Sequence, residues 1–122
     1  MPIITKQKEL PNYITKDKSS ICELMHPQQH SNKNQSLAQA NVPINTETQL
    51  HYHSETEELY HIMHGSGIMT LDKEQFAVEA GDTICIPPKS QHKIKNIGNT
   101  SLEFLCCCSP PYSHDDTFLI ED

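Results

Sequence analysis

The feature that most constrains this chain is its punctuation: short segments of strand-type composition follow one another closely and are broken by Gly, Pro, Asn and Asp, while helical periodicity is scarce. Chains of this kind close into β-sandwiches or barrels. Strands are predicted over residues 20–25, 35–42, 47–53, 57–63, 67–71, 75–79, 83–86, 91–95 and 101–108. Gly65 with Gly67, Asp72 with Lys73, and Gly81 with Asp82 supply tight turns, and Pro87-Pro88 stops a strand because proline has no N–H to pair. Residues 26–35 contain almost nothing apolar and read as a surface loop. Residues 1–19 read as an arm that adds an edge or partner strand.

At 122 residues the chain has length for one core, and residues 1–122 are expected to form a single domain. Sixteen acidic residues against nine lysines give a net charge of −7, which repels a phosphate backbone, so nucleic acid is not an expected partner. No arginine is present, which removes the bidentate fork that usually anchors carboxylates and phosphates. No apolar run approaches the ~20 residues of a membrane span, and the first residues lack the apolar stretch of a secretory signal. The five cysteines are odd in number and three are consecutive, Cys106 to Cys108, which suits reduced thiols in the cytoplasm better than a disulfide framework.

The chemistry-bearing segment is TQLHYHSETEELYHIMHG. His51 and His53 are two apart on a predicted strand, so their imidazoles share a face and can reach one ion. Glu58 lies at an odd offset, so Ser54, Glu55 and Thr56 must turn the chain before the next strand presents Glu58 inward, with Tyr60 and Ile62 on its face and His61 pointing away. A second segment, GDTICIPPKSQHKIKN, places His92 after a turn, a buried strand and a proline stop, with Asn96 four residues further on.

Together these segments resemble the two motifs of the cupin superfamily, G(x)5HxH(x)3-4E(x)6G and G(x)5PxG(x)2H(x)3N. His51, His53, Glu58 and Gly65 match the first, with Asn45 in place of its opening glycine; Gly81, Pro87, His92 and Asn96 match the second, with Lys89 in place of its inner glycine. Residues 45–96 carry the resemblance, the 15 residues 66–80 separate the motifs as in small microbial single-domain cupins, and flanking segments such as NQSLAQA and SLEFLCCCSPPYSHDD are also similar. Lysine resists the positive φ that glycine accepts, so the turn at Lys89 is expected to depart from the family's backbone.

The resemblance implies an all-β cupin, a double-stranded β-helix or jelly-roll barrel of two antiparallel sheets. It also implies one divalent transition-metal ion (Fe, Mn, Ni, Co, Cu or Zn) held by His51, His53, Glu58 and His92. Three neutral imidazoles and one carboxylate leave a net charge near +1 and open coordination positions for water, dioxygen or a bidentate small molecule. The expected function is a metal-dependent enzyme acting on a small polar or oxygenated molecule, with dioxygenase-type oxidoreductase chemistry placed ahead of sugar isomerase or lyase chemistry. A non-catalytic metal or small-ligand binding module is the competing reading. Exposed edges and the free arm suggest a homodimer.

Other residues are assigned more ordinary roles. Either Cys107 or the pair Cys106 and Cys108 faces the barrel interior, as core or as a thiol near the metal. His26, His30, His61 and His64 are read as surface or turn histidines, and Tyr60, Met63, Met69 and Phe104 as core or lining. Lys89, Lys93 and Lys95 are read as solvated charges. Ser113, His114 and Asp115 are adjacent and cannot aim at one another as a hydrolytic triad. The tail is expected to be exposed, with folding over the barrel mouth, bringing Tyr112 or His114 near a substrate, as the alternative.

Overall fold

A computed structural model of the chain describes residues 1–121. Eleven strands form two antiparallel sheets: β1 (Asn12–Ile14), β2 (Ser20–Met25), β3 (Ser36–Val42), β4 (His51–His53), β5 (Glu57–His64), β6 (Ser66–Leu71), β7 (Glu74–Glu79), β8 (Thr83–Ile86), β9 (His92–Asn96), β10 (Leu102–Ser109) and β11 (Thr117–Leu119). One sheet has the order β1-β2-β3-β10-β5-β8 and the other β11-β4-β9-β6-β7. Consecutive strands repeatedly cross from one sheet to the other, which is the jelly-roll architecture expected from the strand pattern. Among the described residues no helix is long and apolar enough to cross a membrane.

Strict alternation drives the closure. Along β10, Leu102, Phe104, Cys106 and Cys108 are buried and the residues between them are not; β5 buries Glu58, Tyr60 and Ile62 in the same rhythm. The core between the sheets is built on Ile62, Met69, Ile86, Ile94, Leu102 and Phe104, all at or below 1% exposure. Each such side chain stabilises the fold by roughly 1.5–3 kcal/mol relative to leaving it in water. Phe104 packs against Tyr60 with ring centroids 4.5 Å apart. A bulge where β10 meets β5 leaves Met63 without a register partner and only half-buried, unlike the other residues expected in the core.

Two short strands lie near the chain ends: the first is the edge strand expected of the arm, and the second has no counterpart in the sequence pattern. Tyr13 and its neighbours pair with β2 as the sheet edge, and Thr117–Leu119 pair with β4. The expectation of an exposed tail is therefore corrected: residues 112–119 dock on the barrel. The predicted strand over 47–53 is shorter, because only His51–His53 make a regular ladder while Glu47 bridges Lys95 alone.

The substituted motif positions also require a correction. Lys89 adopts φ 72° and Asn45 adopts φ 64°, so both take the left-handed backbone that glycine accepts most readily. Lys89 N–H donates to the His53 carbonyl at 2.6 Å, which rewards that conformation. Gly65 has no such latitude, since a Cβ there would lie 2.9 Å from the Ser101 carbonyl oxygen.

Candidate metal centre

The pleat brings His51 and His53 of β4 to one inner face, and His92 of β9 stands directly opposite His51 in the ladder. One ring nitrogen from each lies within 4.8 Å of the other two, and all three residues are buried. The His51 and His92 rings are 4.2 Å apart. Glu58 arrives from the other sheet on β5, its Oε1 3.4 Å from His53 Nε2 and 3.3 Å from His92 Nε2. The turn between His53 and Glu58 is real and is clamped by Asp116: its carboxylate accepts the N–H groups of Ser54 at 3.0 Å, Glu55 at 3.1 Å and Thr56 at 3.3 Å.

Each imidazole is oriented by the backbone. Nδ1 of His51 lies 2.8 Å from the Gln49 carbonyl, that of His92 3.0 Å from the Ser90 carbonyl, and that of His53 3.3 Å from the Asp116 carbonyl. An Nδ1–H donor in all three rings leaves Nε2 as the lone-pair nitrogen turned inward, the tautomer a metal ligand needs. Glu58 Oε1 and His92 Nε2 are buried and, despite their proximity, meet no hydrogen-bond partner in proper geometry among the described residues. Orphaned buried atoms of this kind beside three clustered imidazoles fit a divalent transition ion, with Glu58 lying against His53 and His92 but outside the group of mutually close ligand atoms.

Charge follows from burial and pairing. Burial and the neighbouring His92 push His51 down to about 4, so its imidazole is neutral near pH 7. Burial alone would lower His53, but the Glu58 carboxylate outweighs it and the shift is upward. Burial would raise Glu58, yet its contacts with His53 and His92 hold the carboxyl well below its ordinary range. Cys108 donates its thiol to Glu58 Oε2 at 3.4 Å, and burial pushes that thiol far up, so it stays protonated. Of the two arrangements left open by sequence, Cys106 and Cys108 enter the barrel, while Cys107 lies on the outer face near Gln35.

The site opens on a small cavity with room for a few waters. His51, His53 and Glu58 form one wall; Tyr60, Phe104, Cys106 and Cys108 belong to the floor. Asp17, which sequence reasoning left inside the arm, is 8% exposed and places Oδ2 3.7 Å from His51 Nε2. Its Oδ1 accepts from the N–H and hydroxyl of Ser19 at 3.0 and 2.6 Å. The only trace of this in the sequence is the Thr15-Lys16-Asp17-Lys18-Ser19 turn chemistry.

The remaining histidines separate. His61 and His64 are exposed, as expected. His26 is not a surface residue: it is 7% exposed and its Nε2 lies 2.7 Å from the Tyr112 carbonyl, tying the polar loop to the tail. Asn96 is structural, its amide donating to the Val42 and Thr100 carbonyls at 3.0 and 2.8 Å. Tyr112 lines the cavity and His114 lies in an outer cleft beyond it.

The cupin domain family model matches residues 39–108, which include all four candidate ligands. The chain belongs to the cupin family. This cupin is 54% identical over 119 residues to an uncharacterized protein of Methanocaldococcus jannaschii, covering 98% of this chain and 95% of that one. It is 30% identical over 90 residues to an oxalate-binding protein of Thermotoga maritima, covering 74% of each chain. The crystal structure of a predicted oxalate decarboxylase from Thermotoga maritima superposes with a TM-score of 0.77 at 25% identity, covering 90% of this chain and 99% of that one.

Proposed function

We propose that this cupin is a metal-dependent enzyme acting on a small oxygenated molecule, with His51, His53, Glu58 and His92 holding one divalent transition-metal ion. The observation that carries the reading is the convergence of three buried imidazoles, each oriented through Nδ1, with a carboxylate from the opposite sheet. When bound, the ion supplies Lewis acidity toward a chelating molecule and, for a redox-active metal, electron exchange. The protein's own residues do the rest. Cys108 and Asp116 orient Glu58, the apolar floor limits water, and the small cavity admits only a few atoms beside the ion.

Oxalate is the first ligand to test, by its size and by the binding named for the Thermotoga relative. No lysine lines the cavity among the described residues, so an anionic oxygen there depends on the ion and on uncharged donors. Asp17, Tyr60 and Tyr112 share the cavity with the histidines, which favours proton-handling isomerase or lyase chemistry. Dioxygenase-type oxidoreductase chemistry is the second reading, favoured by the coordination positions that four protein donors leave to other ligands. A cytoplasmic homodimer completes the proposal, supported by five unpaired cysteines and by the exposed β1 edge with Tyr13 and Ile14.

Elemental analysis of protein purified without added metal tests the ion directly: about one ion per chain is expected in the wild type and a loss in His51→Ala. A metal content that His51→Ala leaves unchanged would place the ion elsewhere. On the loaded protein, release of carbon dioxide from oxalate without oxygen consumption supports the lyase reading, oxygen uptake supports the second, and binding of oxalate without turnover makes the protein a binding module.

A further inference from the structure

The cavity is lined as well by residues of β2 and of the two chain ends. Glu23 on β2 is 8% exposed, and its Oε2 accepts the Tyr13 hydroxyl at 2.9 Å. Its Oε1 is buried and meets no hydrogen-bond partner among the described residues. Glu23, Tyr13, Thr15 and Tyr112 line both the inner cavity and a roomier outer cleft, so this residue stands at the neck between the two. Lys16 holds the arm across that neck, donating to the carbonyls of His114 and Thr117 at 3.2 and 3.0 Å.

Other polar groups on this side are already committed. Ser36 Oγ accepts the Tyr112 N–H at 2.9 Å, Ser19 donates to Asp17, and Thr117 donates to the Ser113 carbonyl at 2.8 Å. A buried carboxylate with one unpartnered oxygen is costly, whereas a carboxyl that keeps its proton has one oxygen to accept from Tyr13 and one to donate. Burial raises Glu23, against lowering by the Tyr13 hydroxyl and by His26 and His30. The other titratable groups near it are Cys22 on its own strand, Cys106 and Cys108 of β10, and Tyr112 of the tail. None of these is a lysine.

We propose that Glu23, held by Tyr13, is the hydrogen-bond donor of this cavity, its Oε1–H reading an acceptor oxygen of a small carbonyl- or carboxylate-bearing molecule whose other oxygens face His51 and His53. The proposal rests on the metal reading for the far end of that molecule and on the Glu23 geometry for the near end. It explains how a chain without arginine binds an oxygen-rich molecule away from an ion.

The test uses the full chain loaded with zinc, with oxalate, glycolate and glyoxylate as probes in calorimetry, and zinc content measured on every sample. Glu23→Ala should weaken the best probe by ~10-fold or more, whereas Glu23→Gln, which keeps an N–H donor in place, should stay within about 3-fold of wild type. Wild-type affinity should fall relative to Glu23→Gln as pH rises through the titration of Glu23, and zinc content should not change in either variant. Carbon-13 NMR of protein labelled at the glutamate carboxyl, with Glu23→Gln to assign the signal, should show Glu23 titrating above the ordinary glutamate range with or without zinc. Equal affinity in Glu23→Ala, an ordinary titration of Glu23, or failure of all three probes on zinc-loaded wild type would overturn the proposal. Absence of zinc from the wild type would instead overturn the metal reading, and the NMR titration would still decide the state of Glu23.

Discussion

The two walls of the cavity are made in different ways. The candidate ligands come from β4, β5 and β9, and all four fall on the buried positions of alternating strands. The rest of the lining, with Asp17, Glu23, Tyr13 and Tyr112, comes from the N-terminal arm, β2 and the C-terminal tail. It is held by isolated contacts such as Lys16 to the tail carbonyls and His26 to Tyr112. The first lining is set by strand pairing; the second is stitched in part from the chain ends.

The comparison breaks most completely at His92, fully buried behind the other ligands. His92→Gln should reduce bound metal from about one ion per chain to less than about a tenth, by elemental analysis, while circular dichroism still reports a folded barrel. Asp116 tests whether the walls are coupled, because it sits in the tail yet clamps the turn between His53 and Glu58. Asp116→Ala should lower metal affinity by roughly 10- to 100-fold and stability by about 1–3 kcal/mol, measured by competition with a chelator and by denaturant titration. Unchanged affinity would make the two walls independent.

Legibility follows the same division. The inward placement of His51, His53 and Glu58 was readable because strand period and turn placement act within a few residues, the register of β5 obeying the turn at Ser54–Thr56, whereas joining His92 to them took the family resemblance. Asp17 and the docking of residues 112–119 were not, because partners such as Lys16 and Thr117 are separated by 101 positions and leave no local spacing. The three-residue strand Thr117–Leu119 likewise carries no period. His26 was misjudged for the same reason, its burial being created by the tail rather than by its polar neighbours.

Lys89 shows a local rule overridden by context. Its positive φ is retained for the hydrogen bond to His53, so Lys89→Gly should raise stability by about 1 kcal/mol and the melting temperature by roughly 4 °C without changing metal content. The smallest effect is expected at Glu23. Its folded-state pKa is raised, so the folded protein binds the proton more tightly than the unfolded chain. Its contribution to stability is present below the ordinary glutamate value of about 4.3 and is lost as pH rises toward the folded value. The stability of Glu23→Gln relative to wild type should therefore increase across that window in thermal melts. A constant difference would show that Glu23 titrates normally.

The most direct test is anomalous scattering from crystals grown with cobalt or zinc, recorded on both sides of the metal's absorption edge. A single strong peak is expected about 2.0–2.2 Å from Nε2 of His51, His53 and His92 and from a carboxylate oxygen of Glu58. A saturated crystal with its metal peak elsewhere, or with none among these four side chains, would contradict the account.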